Sequence, residues 1–264
     1  MTSSNKPAII LLTGASSGIG AALAENLASR RAHLLLTARS AERLTALALR
    51  IHAAGGSATV LPLDLAAPGA ARQLFDEVQR LGLPVDTLIN CAGFGHFGPF
   101  ENEDPNHLSQ MLQLNVVALT ELTRLFVPQL LARRGTVLNI ASTAAFQPAP
   151  YMAAYAATKA YVLSLSEALW AEYHARGLRV AAVCPGPVET PFLDAMGPAV
   201  RSTPLFRAPL TVAQVVQACL RALDAPGPTH IVGLRNWLMA QSARFAPRGL
   251  AARLGAILLA PPAP

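Results

Sequence analysis

The chain has 264 residues, 52% of them hydrophobic, and a formal net charge of +6, enough apolar material for one sizeable core. Its three cysteines, Cys91, Cys184 and Cys219, are odd in number and widely spaced. They read as reduced thiols, which excludes a disulfide framework, and they lack metal-ligand spacing, so no metal site is expected. No stretch approaches the roughly 18–20 continuous apolar residues of a membrane span. The apolar run 8–12 is too short for a secretory signal, so a cytoplasmic location is expected.

Buried strands are predicted at 8–12, 33–37, 58–63, 87–90, 136–141, 179–184 and 230–232. Helical patterns lie between them at 18–30, 41–54, 68–81, 107–132, 155–175 and 211–224. This alternation predicts an α/β fold, a Rossmann-type doubly wound parallel sheet covered on both faces. Gly135 and Gly177 are expected to stop helices in a left-handed conformation. Prolines cluster at 185–191, 198–209 and 226–228, and the middle cluster reads as a long loop of the kind that carries substrate contacts. The expected division is a catalytic domain over 1–233 and a basic amphipathic extension over 234–264.

After the first strand comes Thr13-Gly14-Ala15-Ser16-Ser17-Gly18-Ile19-Gly20, a glycine-rich turn leading into a helix. Backbone N–H groups in such a turn point at a pyrophosphate, and the helix N-terminus adds partial positive charge. Gly14 is expected to make the tight turn, Gly18 to admit the cofactor and Gly20 to let the helix pack on the sheet, with Ser16, Ser17 and Ile19 beside the phosphates. The spacing is Gly-x-x-x-Gly-x-Gly rather than Gly-x-Gly-x-x-Gly.

An NAD site carries an acid at the end of the second strand, and this chain has Ala38-Arg39-Ser40 there. Arg39 suits a 2′-phosphate, which favours NADP over NAD; the alternative is a solvated residue opening a helix. Asp64, followed by Leu65, either accepts from the adenine amino group or caps a helix or turn.

Downstream stand Ser142 and Tyr155-Ala156-Ala157-Thr158-Lys159. Hydride transfer to a carbonyl builds charge on oxygen, and an acid must deliver a proton there. A free tyrosine has a pKa near 10. A lysine one helical turn later shares its face and is expected to depress that value. Ser142 is placed to hold the substrate oxygen, and Asn115 on the preceding long helix to anchor a water leading from Lys159. Taken singly, each residue is also an ordinary turn, helix or surface residue. Together, after a dinucleotide cradle, they imply a nicotinamide-dependent oxidoreductase.

With these motifs the chain resembles the classical short-chain dehydrogenase/reductase family over about residues 7–233. The resemblance maps the family's catalytic residues onto Asn115, Ser142, Tyr155 and Lys159, and its cofactor motifs onto Thr13 to Gly20, Asp64 and Asn90-Cys91-Ala92-Gly93. The Pro-Gly turn and its following threonine correspond to Pro185-Gly186 and Thr190, which, with Val188, would approach the nicotinamide carboxamide. It implies NADP(H), a small carbonyl or alcohol substrate, and a homodimer through the helices at 107–132 and 155–175. Cys91 stands where the family has a second asparagine, which puts one sheet-stabilising hydrogen bond in question. The thirty or so residues after Gly233 depart from the short tails of tetrameric members.

The charge is uneven. Residues 1–194 balance 14 basic against 14 acidic residues, whereas Arg201, Arg207, Arg221, Arg235, Arg244, Arg248 and Arg253 face only Asp224 beyond Ala195. In the tail, Leu234, Trp237, Leu238, Gln241 and Phe245 recur at helical spacing, Pro247 interrupts, and Leu250, Leu254, Ile257 and Leu258 follow. Such a stripe packs on its own protein or a partner subunit, lies on a membrane surface, or closes over the substrate cleft. Nucleic-acid binding is not expected. Phe192, Leu193, Met196, Val200, Leu205 and Phe206, with Phe94, His96, Phe97 and Phe100 opposite, are expected to line an apolar substrate site. His96 is not expected to be a catalyst. Arg201 and Arg207 either bind an anionic substrate group or are surface charges. A membrane-peripheral ketoacyl or lipid reductase and a non-catalytic NADP-binding regulator are the alternatives.

Overall fold

β1 (Ala8–Thr13) buries both of its faces. Ile10 and Leu12 enter one core, and Ile9 and Leu11 enter another on the opposite side of the sheet. Successive strand side chains point to opposite faces, so a strand covered on both sides reads as one continuous apolar run. In this computed structural model, residues 7–197, 199–224, 227–242 and 245–260 are described. Pro198, Pro226 and Arg244, along with residues 261–264 of the tail, lie outside them.

The chain continues through α1 (Gly18–Ala28), β2 (Ala32–Ala38), α2 (Ala41–Ala53), β3 (Ser57–Pro62), α3 (Ala70–Arg80) and β4 (Thr87–Asn90). Then follow α4 (Pro105–Leu112), a π-helical turn over Gln113–Ala118, α5 (Leu119–Arg133), β5 (Thr136–Ile140), α6 (Ala153–Tyr173) and β6 (Arg179–Cys184). The strands form one parallel sheet in the order β3-β2-β1-β4-β5-β6-β7, where β7 is Thr229–Ile231. The order reverses between β1 and β4, and a crevice opens there at the carboxyl ends of the strands, as such topology requires. Leu23, Leu44, Leu47 and Val215 cover one face, from α1, α2 and α9 (Val212–Asp224). Leu74, Leu122, Phe126 and Leu130 cover the other, from α3 and α5.

Four local expectations need correction. The helix predicted over 107–132 begins at Pro105, because Asp104 caps it by accepting from the N–H groups of Asn106 and His107, and the π-helical turn interrupts it around Asn115. At the end of α5 the left-handed residue is Arg134 (φ 51°), not Gly135. Gly135 is needed for another reason: a Cβ there would sit 2.5 Å from the Asp86 carbonyl oxygen. Gly177 is left-handed as expected (φ 90°). The segment after 190 is not a plain loop. It folds into α7 (Pro191–Ala195), α8 (Ala199–Ser202) and a turn at Pro204–Phe206, because Leu193, Val200 and Phe206 are buried and draw it onto the protein. Finally, Pro105–Arg133 is long and apolar enough by composition to cross a membrane. Its Leu122, Phe126 and Leu130 are packed on the sheet instead.

The tail forms α10 (Leu234–Ser242) and α11 (Arg248–Leu259). Its inner side packs on its own chain. Ala240, Gly255 and Leu259 are buried, and a Cβ on Gly255 would lie 2.9 Å from the Pro148 carbonyl oxygen. Its outer side keeps Trp237, Leu238, Phe245, Leu254 and Ile257 exposed.

Candidate active site

One cleft runs along the carboxyl ends of the strands. At one end, the turn after β1 carries Gly14, Ser16, Ser17, Gly18, Ile19 and Gly20 along its wall. Gly14 has φ +70°, and a Cβ there would meet Ala92 Cα at 2.7 Å, so the turn can press against the segment after β4 only as glycine. Thr13 locks the same junction. Its buried Oγ1 accepts from the N–H groups of Cys91 and Ala92, both at 3.0 Å. The sheet contact that Cys91 put in question is therefore made through backbone amides, and no side-chain amide is needed at 91. Ser17 precedes α1 without a side-chain cap bond, and the first turn holds no acid, so the opening N–H groups of α1 face the cleft.

Arg39 and Asp64 line the same end and are exposed. Among the described residues, Arg39 makes no ion pair or side-chain hydrogen bond. Asp64 Oδ1 accepts from Ala66 N–H at 3.0 Å, so Asp64 caps a turn while it also borders the cleft beside buried Leu65. Ala92, Gly93, Pro185, Gly186, Val188 and Thr190 complete this wall. Asn90 stands apart. Its Nδ2 donates to Thr123 Oγ1 (3.1 Å) and Asn139 Oδ1 (2.9 Å), deep in the sheet and away from the cleft.

At the other end, β5 delivers Ser142, and the first turns of α6 deliver Tyr155 and Lys159. Ser142 Oγ accepts from Ala144 N–H at 3.1 Å. Lys159 Nζ donates to the Ile140 carbonyl at 2.8 Å and stands 5.8 Å from the Tyr155 ring centroid. Burial pushes the Tyr155 hydroxyl up to about 12, opposed by a hydrogen bond with Ser142. Burial also pulls Lys159 down to about 8, opposed by Cys91 and Cys184. The expected depression of Tyr155 by Lys159 is thus not found here. The ammonium is spent on a carbonyl, and burial dominates both groups.

Asn115 is 1% exposed and does not border the cleft. Its Oδ1 accepts from Phe94 N–H (3.2 Å), and its Nδ2 donates to the Phe94 carbonyl (2.9 Å) and to Thr158 Oγ1 (3.2 Å). Sequence reading placed Thr13 in the glycine motif without a role of its own, and it missed Phe94 as a backbone partner and Thr158. A lone threonine or phenylalanine carries no pattern, and only the π-helical turn brings Asn115 between them.

Past Ser142 and Tyr155 the cleft becomes apolar. Phe94, Met152, Phe192, Leu193, Leu205 and Phe206 line it, joined by Met239 of α10 and Leu259 of α11. Both tail residues were absent from the expected lining; the tail closes over this end. Met196, Val200 and Phe97 are buried behind the wall, and Phe100 is exposed. His96 points away from the cleft toward Glu103 and His107. Arg201 is a surface charge, paired with Glu189 and with Asp194, the latter at 2.7 Å.

Comparison with known proteins agrees with this geometry. The model of the short chain dehydrogenase family matches residues 8–200. A ketoacyl reductase of Nostoc sp. is 34% identical over 178 residues, 67% of this chain and 62% of that protein. A 2-keto-3-deoxy-L-fuconate dehydrogenase of Xanthomonas campestris is 36% identical over 185 residues, 69% of this chain and 59% of that protein. The solved short-chain dehydrogenase of Sphingobium yanoikuyae, in complex with NADPH, superposes with a TM-score of 0.81 at 33% identity, covering 92% of this chain and 94% of that one. The chain spans about three fifths of the length of several curated relatives, from 59% to 62%. It belongs to the short-chain dehydrogenase family.

Proposed function

We propose that this protein is an NADP(H)-dependent oxidoreductase that interconverts a carbonyl and a secondary alcohol on an apolar small molecule. The observation that carries the reading is the single cleft, which has a phosphate-type cradle at one end and Ser142, Tyr155 and Lys159 at the other. A dinucleotide fits the residues present. Gly14 and Gly18, both at positive φ, keep the turn bare, and the uncapped opening of α1 offers N–H groups to phosphate oxygens. Arg39 has no competing partner among the described residues and would hold the 2′-phosphate, which supports NADP over NAD. Asp64 and Leu65 would border the adenine, and Pro185, Gly186, Val188 and Thr190 the carboxamide.

When bound, the nicotinamide supplies or accepts the hydride. The protein's own part is the proton. Tyr155, held protonated by burial, gives its phenolic proton to the carbonyl oxygen, while Ser142 Oγ donates a hydrogen bond to that same oxygen. Lys159 would hold the nicotinamide ribose, its ammonium already anchored on the Ile140 carbonyl at the floor of the cleft. Asn115 acts through Phe94 and Thr158, positioning the wall and the helix rather than touching substrate. The lipid-reductase alternative gains nothing particular from relatives whose names span a ketoacyl and a sugar-acid substrate. The regulator alternative is weakened by Ser142, Tyr155 and Lys159 lining the same cleft as the cradle.

A homodimer through α4–α5 and α6 is supported by the exposed Leu112, Val117 and Tyr161 on those helices. The outer side of the tail, with Trp237, Phe245 and Ile257 among exposed Arg235, Arg248 and Arg253, suits peripheral contact with an anionic bilayer. Flotation with anionic vesicles, with and without residues 236–264, tests that contact. The free thiols support a cytoplasmic location.

Titration calorimetry with NADPH and NADH, on wild type and Arg39→Ala, tests the main reading. Tighter NADPH binding that collapses in the variant supports it. Equal binding of the two removes the NADP preference, and absence of both removes the oxidoreductase.

A further inference from the structure

We propose that His96, Glu103 and His107 form a binding site for a divalent transition-metal ion of zinc type, outside the catalytic cleft. The three residues come from two segments of chain, with Glu103 and His107 four residues apart on the second. His96 lies in the loop after β4, Glu103 just before the Asp104 cap, and His107 in the first turn of α4. One ligand atom from each lies within 4.8 Å of the other two. Two imidazoles and a carboxylate are a donor set that suits zinc and its first-row neighbours, and three protein ligands leave a fourth position for water.

A second observation points at an ion. His96 Nε2 and Glu103 Oε1 are both buried and have no hydrogen-bond partner. The Glu103 side chain is only 4% exposed, and His107 Nδ1 stands 3.8 Å from its Oε1, beyond hydrogen-bond range. A buried carboxylate oxygen without a hydrogen-bond partner is costly, and a cation at this point satisfies Glu103 Oε1 and the imidazoles together. Bond lengths of about 2.0–2.2 Å place tetrahedral ligand atoms roughly 3.3–3.6 Å apart, so the cluster closes by about an ångström on binding. His107 is half-exposed, and His96 sits on a loop, so both can make that movement. Gly98 keeps room beside them, since a Cβ there would approach His96 Nε2 to 3.1 Å.

The ion's role follows from its position. None of the three ligands borders the cleft. Phe94, two residues before His96, does, and its ring lies 4.8 Å from that of His107. The ion would therefore staple the loop after β4 to α4 and steady the Phe94 wall. It would not polarise substrate.

The test is a Co²⁺ titration of tag-free protein dialysed against EDTA, followed by visible absorption, with Zn²⁺ competition and thermal melting. One equivalent of Co²⁺ giving d–d bands, displaced by Zn²⁺, with a raised melting temperature, is expected. Affinity should fall at least about tenfold in Glu103→Gln and in His107→Ala. Both variants are used because the half-exposed histidine tolerates truncation even where the buried carboxamide weakens the loop. Absence of a stoichiometric site in wild type, or equal affinity in wild type and a folded His107→Ala, overturns the proposal.

Discussion

Asn115 closes both backbone hydrogen bonds of Phe94, accepting from its N–H at 3.2 Å and donating to its carbonyl at 2.9 Å. A third bond, to Thr158 Oγ1, ties the pair to α6 one residue before Lys159. The wall of the cleft and the helix that carries Tyr155 are thus joined through one side chain. Asn115→Ala leaves the two Phe94 groups without their partner, and it should cost about 2–4 kcal/mol in urea unfolding. A loss below about 0.5 kcal/mol would mean that water replaces the amide without penalty.

The buried pair in α6 sets a pH signature. Lys159 is pulled from 10.5 down to about 8, so between those values the unfolded chain binds more protons than the folded one, and stability rises with pH. Tyr155 is pushed from 10.0 up to about 12, so above pH 10 the folded chain holds the extra proton, and stability falls. Subtracting the unfolding free energy of Lys159→Met from that of wild type at each pH isolates the lysine. The difference should climb from pH 8 to pH 10. A flat difference would show that Lys159 is solvated in the folded protein.

Tyr155→Phe keeps the ring that packs against Phe192, at 5.6 Å between centroids, and removes only the phenolic hydroxyl, the proposed proton donor. Turnover with a reducible ketone should drop on the order of 10²–10⁴-fold, with unchanged melting temperature and dinucleotide affinity. Turnover within threefold of wild type would move the acid elsewhere.

Leu259 joins the end of the tail to the cluster formed by Tyr155, Met152, Leu193 and Phe206, and it is 3% exposed. Leu259→Ala should cost about 2–4 kcal/mol by cavity formation. The variant should also shift KM more than kcat, because Leu259 lines the apolar end of the cleft and carries no group that exchanges a proton. Unchanged stability and KM would detach α11 from the cleft.

How much of this was legible beforehand differs by kind of residue. The sheet was legible because β1, β4, β5 and β6 are buried on both faces, which forces continuous apolar runs between amphipathic helices. The cradle was legible because the turn leaves no room for a side chain at Gly14, where a Cβ would meet Ala92 Cα at 2.7 Å. Tyr155 and Lys159 were legible because one helical turn separates them. The π-helical turn at Asn115 was not, since no residue pattern distinguishes it from a straight helix.

Sequence alone therefore determined the fold class, through periodicity, and the glycine turn with Ser142, Tyr155 and Lys159, through short-range spacing, and the resemblance of these motifs gave the family. Tertiary structure decided everything that depends on burial and on contacts between distant segments. It set Tyr155 high and Lys159 low, since desolvation depends on the whole surrounding core. It withdrew Asn90 into the sheet, brought Met239 and Leu259 over the substrate end, and turned His96 toward Glu103 and His107. Such groupings join residues far apart in the chain, such as Phe94 and Leu259, and only packing brings them together.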